Sequence, residues 1–256
     1  MQPHEQIAEA LGAAKSAGRT GLVPFITAGY PSPDAFAATL VNVSKVGDVV
    51  EVGVPFSDPM ADGMTIQRSS HSAIEQGVSL AWIFDQLETV KDQVEAPLVL
   101  MSYMNPLLAF GYEALAKRAA ETGVCGFIVP DLPLEESDEL RAVLEAHGLG
   151  VIQLVTPATP PERLERLANA SRGFVYAVTI KGVTGGDTGL PPDLADYLDR
   201  VSELSPLPVC AGFGIRSAED VSNVGGHAAG AIVGSALVEV LERGEDPAAF
   251  LESLSA

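Results

Sequence analysis

Residues 21–31, Gly21-Leu22-Val23-Pro24-Phe25-Ile26-Thr27-Ala28-Gly29-Tyr30-Pro31, decide the fold. The first eight form an almost unbroken apolar run, the pattern of a strand buried on both faces in a parallel sheet. The turn after it separates two architectures. An open doubly wound sheet wants a G-x-G-x-x-G turn at this point, and Ala28-Gly29-Tyr30-Pro31 does not fit one. Seven further runs follow: Val49–Val54, Pro97–Tyr103, Gly126–Pro130, Gly150–Thr156, Gly173–Thr179, Leu207–Phe213 and Gly230–Val233. Between them lie amphipathic stretches, clearest over Pro33–Val46, Ser79–Val94, Tyr112–Thr122, Glu135–His147, Pro161–Ala170, Pro191–Leu204 and Ala218–Val224. Pro33 and Pro161 suit first turns of helices. Asp138 with Arg141, and Glu162 with Arg166, have the spacing of helical charge pairs. Strand–helix alternation implies parallel pairing through right-handed crossovers. Eight repeats in 256 residues is the size of a (β/α)₈ TIM barrel. With no linker or composition shift, residues 1–256 read as one domain. Met1–Ala17 reads as an extra N-terminal helix capping the barrel floor, and Asp246–Leu254 as a short closing helix.

Composition narrows the function. The chain carries 15 Lys+Arg against 34 Asp+Glu, a net charge of −19. That excludes a nucleic-acid binder relying on a basic face, and an anionic membrane would repel the chain. A phosphorylated substrate would need a local device, such as aimed backbone N–H groups. Hydrophobic residues make up 47%, enough for a real core. Cys125 and Cys210 match no zinc or redox spacing and read as buried thiols. Residues 1–5 have neither the basic nor the apolar region of a signal peptide, and no apolar run reaches the ~18 residues of a membrane span. The expectation is a cytoplasmic enzyme.

In a barrel, chemistry sits at the C-terminal ends of the strands. Alternation in Val49-Val50-Glu51-Val52-Gly53-Val54 sends the valines at 50, 52 and 54 toward the helices and Glu51 into the barrel. A carboxyl there should have a raised pKa, which suits a general acid/base. The loop Pro55–Gly63 presents Asp58 and Asp62, one of which could share acid and base duties with Glu51; as isolated residues both are ordinary turn formers. Gly182–Gly189 holds four glycines in eight residues and reads as a lid or a flexible connector. Gly214, Gly234 and Ser235 follow the seventh and eighth runs, where barrels bind phosphate, and are expected to offer N–H groups at helix N-termini. Tyr103 and Tyr176 read equally as core or as walls of a flat pocket. His4, His71, His147 and His227 lie away from the strand ends, no cluster has metal spacing, and Ser235 lacks a nearby His for a hydrolase triad.

The stretch Glu51–Gly63 with Ile66-Gln67 closely resembles the signature of the tryptophan synthase alpha subunit family. The resemblance spans the chain: Pro24–Gly29, Met101–Pro106, Pro130–Glu136, Gly182–Gly185, Gly212–Gly214 and Gly234-Ser235 fall in order. It implies a (β/α)₈ barrel cleaving indole-3-glycerol phosphate to indole and glyceraldehyde 3-phosphate. It also implies an alpha2beta2 heterotetramer in which indole passes to a beta subunit carrying pyridoxal phosphate, with no cofactor in this subunit. On matching positions it makes Glu51 the acid/base and Asp62 the stabiliser of charge at the indole nitrogen. Tyr176 lies beside them, and Thr184 helps hold Asp62 when the lid closes. Gly185, Gly214, Gly234 and Ser235 take the phosphate. Pro55, Asp58, Asn105 and Asp131 face the beta subunit. Tyr103 and Met101 suit a flat indole wall.

Departures from the pattern are Met64, where proline is usual, Ile180 and Lys181, where small polar residues are common, and His227, where aspartate is more usual. Two rival readings are a Schiff-base aldolase using Lys181 and a barrel that mainly activates its partner.

Overall fold

The computed structural model describes residues 1–179, 193–212 and 214–255. The chain opens with helix α1 (Pro3–Ser16) and runs through β1 (Gly21–Thr27), α2 (Pro33–Ser44), β2 (Val50–Gly53), α3 (Met64–Glu75) and α4 (Leu80–Val90). It continues with β3 (Leu98–Met101), α5 (Met104–Phe110), α6 (Tyr112–Glu121), β4 (Val124–Ile128), α7 (Asp138–Ala146), β5 (Gly150–Val155) and α8 (Pro161–Ala170). Last come β6 (Val175–Val178), α9 (Leu194–Leu204), β7 (Val209–Gly212), α10 (Ala218–Gly225), β8 (Gly230–Val233), α11 (Ser235–Glu242) and α12 (Pro247–Leu254). The eight strands close in sequence order, all parallel, with β1 pairing β8. This is the (β/α)₈ barrel the eight apolar runs predict.

Alternation along each strand divides the core in two. The outer layer packs Ile26, Val50, Val52, Leu100 and Phe127 against helix residues such as Leu40, Phe84, Leu144, Leu164 and Leu198. The inner layer holds Phe25, Val49, Val99, Met101, Ile128, Ile152, Phe174, Tyr176, Cys210 and Ile232. Ile7 and Leu11 of α1 join this inner layer from below. Small strand starts admit them: a β-carbon at Gly126 or Gly173 would touch Ile7, and one at Gly21 or Gly230 would touch Leu11. The leading helix thus closes the floor. Cys125 and Cys210 are free and buried.

Three local expectations change. Helix α3 adds to the clearest helical stretches of the sequence; Met64–Glu75 buries Ser69 and Ser70 beside Ile66 and Ala73, which blurs its apolar periodicity. Tyr103 stands past the end of β3, as the residue preceding α5. The two anticipated charge pairs give way to others. Arg141 faces Glu145 at 3.8 Å, and Arg166 reaches Glu135 at 3.3 Å together with Arg163 at 2.7 Å. Arg141 keeps an intrahelical partner one turn on, whereas Arg166 turns to a neighbouring element; the exchange is easy, since exposed pairs of either kind are worth only ~0.2–1 kcal/mol. Among the described residues, no helix is long and apolar enough to cross a membrane.

Candidate active site

The register places Glu51 between Phe25 of β1 and Val99 of β3. Its side chain points inward, and the residue is 1% exposed. Its Oε2 is buried with no hydrogen-bond partner among the described residues. A buried carboxylate oxygen left unpaired is costly when charged, so the group holds its proton instead. Burial first, and the Asp62 charge second, push Glu51 from 4.5 up to about 8. Two glycines make room around it. A β-carbon at Gly53 would overlap the Phe25 ring, and one at Gly212 would overlap Tyr176. Tyr176 is buried in the inner layer; burial, then the charges of Glu51 and Asp62, raise its phenol well above the ordinary range. Cys210, also raised by burial and by Glu51, completes this group.

Asp62 comes from the loop between β2 and α3, and three contacts fix it. The Tyr103 hydroxyl donates to Asp62 Oδ2 at 3.1 Å while accepting the Ala61 N–H at 2.8 Å. The Gln67 side-chain amide donates to the Asp62 carbonyl at 2.8 Å. Phe56 stacks on the Tyr103 ring, centroids 5.1 Å apart. With Met64 in place of a stiffening proline, these bonds supply the restraint. Burial lifts Asp62 from 3.8 to about 6, partly offset by the Tyr103 hydrogen bond. Near neutral pH the pair therefore divides, Glu51 protonated and Asp62 ionised. Two carboxyls with separated pKa values are the arrangement of an acid and an electrostatic stabiliser. Met101, on β3, joins the inner layer.

After β8, Gly234 precedes α11 and Ser235 is its first residue, so the helix presents amides and the positive end of its dipole there, an arrangement that suits an anion. Gly214 differs from expectation. It sits in a turn at φ +85°, four residues before α10 begins at Ala218. The α10 N-terminus is already satisfied, since Ser217 Oγ accepts the Asp220 N–H and Asp220 accepts those of Arg216 and Ser217. Any anion contact from this loop uses Gly214's turn and not a helix end. Thr184 and Gly185, with Lys181 and the anticipated lid over 182–189, lie outside the described residues.

Asp58, Asn105 and Asp131 are exposed at the same mouth, whereas Pro55 is buried. Asp131 accepts the Met104 N–H at 2.9 Å and so caps α5. Around them stand apolar side chains that the protein leaves open to water: Met60 is 84%, Met64 65% and Leu108 59% exposed. The histidines bond elsewhere: His4 to Gly148, His147 to Val143, His227 to Asp199, with His71 beside Glu75. No group of three His, Cys, Asp or Glu side chains suited to a metal occurs among the described residues.

Neither the Gln67 clamp nor the Phe56 stack is legible in the sequence. Gln67 stood in the signature stretch, five residues beyond Asp62, but nothing in its spacing announces a bond back to a backbone carbonyl. The stacking joins positions 47 residues apart.

Comparison with known proteins identifies the family and agrees with the barrel fold. The family model described as tryptophan synthase alpha chain matches residues 11–255. The tryptophan synthase alpha chain of Nitratidesulfovibrio vulgaris (strain DP4) is 43% identical over 241 residues, covering 94% of both chains. That of Laribacter hongkongensis is 45% identical over 239 residues, covering 93% of this chain and 90% of its own. A Mycobacterium tuberculosis tryptophan synthase structure superposes with a TM-score of 0.89 at 36% identity, covering 97% of this chain and 96% of the other. The Legionella pneumophila alpha chain gives 0.86 at 33% identity, covering 99% and 96%. With the carboxyl pair at the barrel mouth and a family match along nearly the whole length, the chain belongs to the tryptophan synthase alpha chain family.

Proposed function

We propose that this chain works as one domain, residues 1–256, that cleaves indole-3-glycerol phosphate by a retro-aldol step. The observation that carries this reading is the buried Glu51 carboxyl, its Oε2 without a hydrogen-bond partner among the described residues, set into the barrel beside Asp62, with burial raising both pKa values and Glu51 the higher. Glu51 gives its proton to indole C3, and positive charge develops at the ring nitrogen, where the Asp62 carboxylate stabilises it. The Glu51 carboxylate then takes the proton of the adjacent side-chain hydroxyl. The O–H electrons become the carbonyl of glyceraldehyde 3-phosphate, and the C–C bonding pair returns to the ring as indole leaves. Glu51 ends protonated, ready for another turnover.

The remaining roles follow the family pattern. Tyr103, Met101 and Tyr176 form the indole wall, and Tyr103 also fixes Asp62. Gly214, Gly234 and Ser235, with Gly185, take the phosphate through backbone amides, and Thr184 braces Asp62 from the sixth loop. Asp58, Asn105 and Asp131 present the mouth to a beta subunit in an alpha2beta2 assembly, Pro55 shaping the loop from beneath; the exposed Met60, Met64 and Leu108 suit a face that becomes covered. Pyridoxal phosphate belongs to that partner, and the chemistry here uses only this chain's carboxyls. The assembly is assigned to the cytoplasm.

The test is indole release from indole-3-glycerol phosphate, with and without a beta subunit, for the native chain and Glu51→Gln. Loss of release in the variant is expected. Release undiminished by the change would overturn the mechanism.

A further inference from the structure

Helix α11 carries two carboxylates that bind elements on either side of it. Glu239 lies one turn beyond Ser235. Its Oε1 accepts the Thr65 hydroxyl at 3.3 Å, and Thr65 stands in the first turn of α3, three residues after Asp62. Its Oε2 accepts from the guanidinium of Arg216, two residues after Gly214. Glu242, one turn further, takes two bonds from Arg68 Nη2 at 2.7 and 2.9 Å and one from the Tyr30 hydroxyl at 2.9 Å. Helix α3 packs along α11 behind these contacts.

As stability devices these pairs are minor. The side chains are 27% exposed at Glu239 and 55% at Arg216, and exposed ion pairs contribute little. Their placement is more informative. A single carboxylate joins the helix that begins at Gly234-Ser235, the loop of Gly214 and the base of the Asp62 loop. An anion drawing the Gly214 turn toward the start of α11 would shift Arg216 against Glu239. That strain passes to Thr65 and to the loop ending at Asp62.

We propose that Glu239 is a positioning residue coupling occupation of the phosphate site to the placement of Asp62. The proposal rests on the reading above, in which Gly214, Gly234 and Ser235 hold phosphate and Asp62 faces the indole nitrogen. Coupling between two sites is a reciprocal ratio of affinities, so it is measurable with two separate probes.

The experiment titrates the full chain with indole in the absence and presence of saturating inorganic phosphate, by calorimetry. In the native chain phosphate should tighten indole binding about fivefold or more. Glu239→Met should reduce that factor to near one, while indole alone binds within about twofold of native. Arg216→Met, which breaks one arm of the brace, should give an intermediate factor and carries the test if Glu239→Met fails to fold. A coupling factor unchanged in both variants, or a native factor of one, would overturn the proposal. Lysis by the same native preparation is measured alongside. Absence of lysis refutes the underlying function, whereas lysis without coupling refutes only the role of Glu239.

Discussion

Replacing Glu51 by Gln should make this protein more stable in alkali while abolishing its chemistry. Burial and the neighbouring Asp62 charge raise the carboxyl from 4.5 to about 8 in the folded chain. In the unfolded chain it titrates near its ordinary value. Between those limits the folded state holds a proton that the unfolded state has released, so stability is full below the lower value and falls as pH rises. The slope is about 1.4 kcal/mol per pH unit, ending once pH passes the folded value. Between pH 6 and pH 9 the native chain should lose roughly 3 kcal/mol through this group. In a chain of this size that corresponds to roughly 6–12 °C in Tm. Asp62, raised to about 6, titrates largely below that window and leaves it to Glu51. Glutamine matches the protonated shape and has nothing to release, so the variant should lack this component. Thermal or urea unfolding of both proteins at pH 6 and pH 9 reads the difference directly, and groups common to both cancel. Parallel pH dependences would show that Glu51 is ionised in the fold, and the acid role assigned to it would fall.

Other consequences are independent of that result. Asp62→Asn should cut kcat/KM for lysis about 10²–10³-fold, as expected for losing a fixed charge at a developing cation, with substrate KM moving less. Tyr103→Phe keeps the ring but removes a donor to Asp62, so the Asp62 pKa should climb further above about 6 and the acid limb of the pH–rate profile should move to higher pH; a limb that stays put would remove Tyr103 from this role. Gly212→Ala forces a β-carbon into Tyr176 and should cost about 1–3 kcal/mol by urea unfolding. Substrate KM should respond weakly to ionic strength if, as proposed, the phosphate is held by amides and not by a basic field; a steep salt dependence would contradict that site.

The sequence was most informative where a short period had one interpretation. Alternation around Glu51 sends its carboxyl inward with Val49, while Val50 and Val52 face the helices, and the structure agrees. The eight apolar runs became eight strands because a parallel barrel buries both faces of each. Helix α3 is faint in the sequence because its buried face uses serines, Ser69 bonding Thr27 at 2.6 Å, where hydrophobic periodicity would show leucines. Gly214 looked like a helix start because a glycine ends the strand there, yet Ser217 and Asp220 set the true cap. What periodicity cannot carry is long-range pairing. The bonds from Tyr103 to Asp62 and from Thr65 to Glu239 span 41 and 174 positions, and only closure of the barrel brings them together.

The floor helix has a consequence for traffic. Ile7 and Leu11 plug the lower end of the barrel against glycines at the strand starts. Among the described residues the barrel is therefore closed from below, which leaves the mouth at the C-terminal ends of the strands as the doorway to Glu51. Whatever enters to react, and every fragment released, must use the same doorway. A partner seated on that doorway controls both the queue for entry and the destination of the product, without contributing any residue to the chemistry.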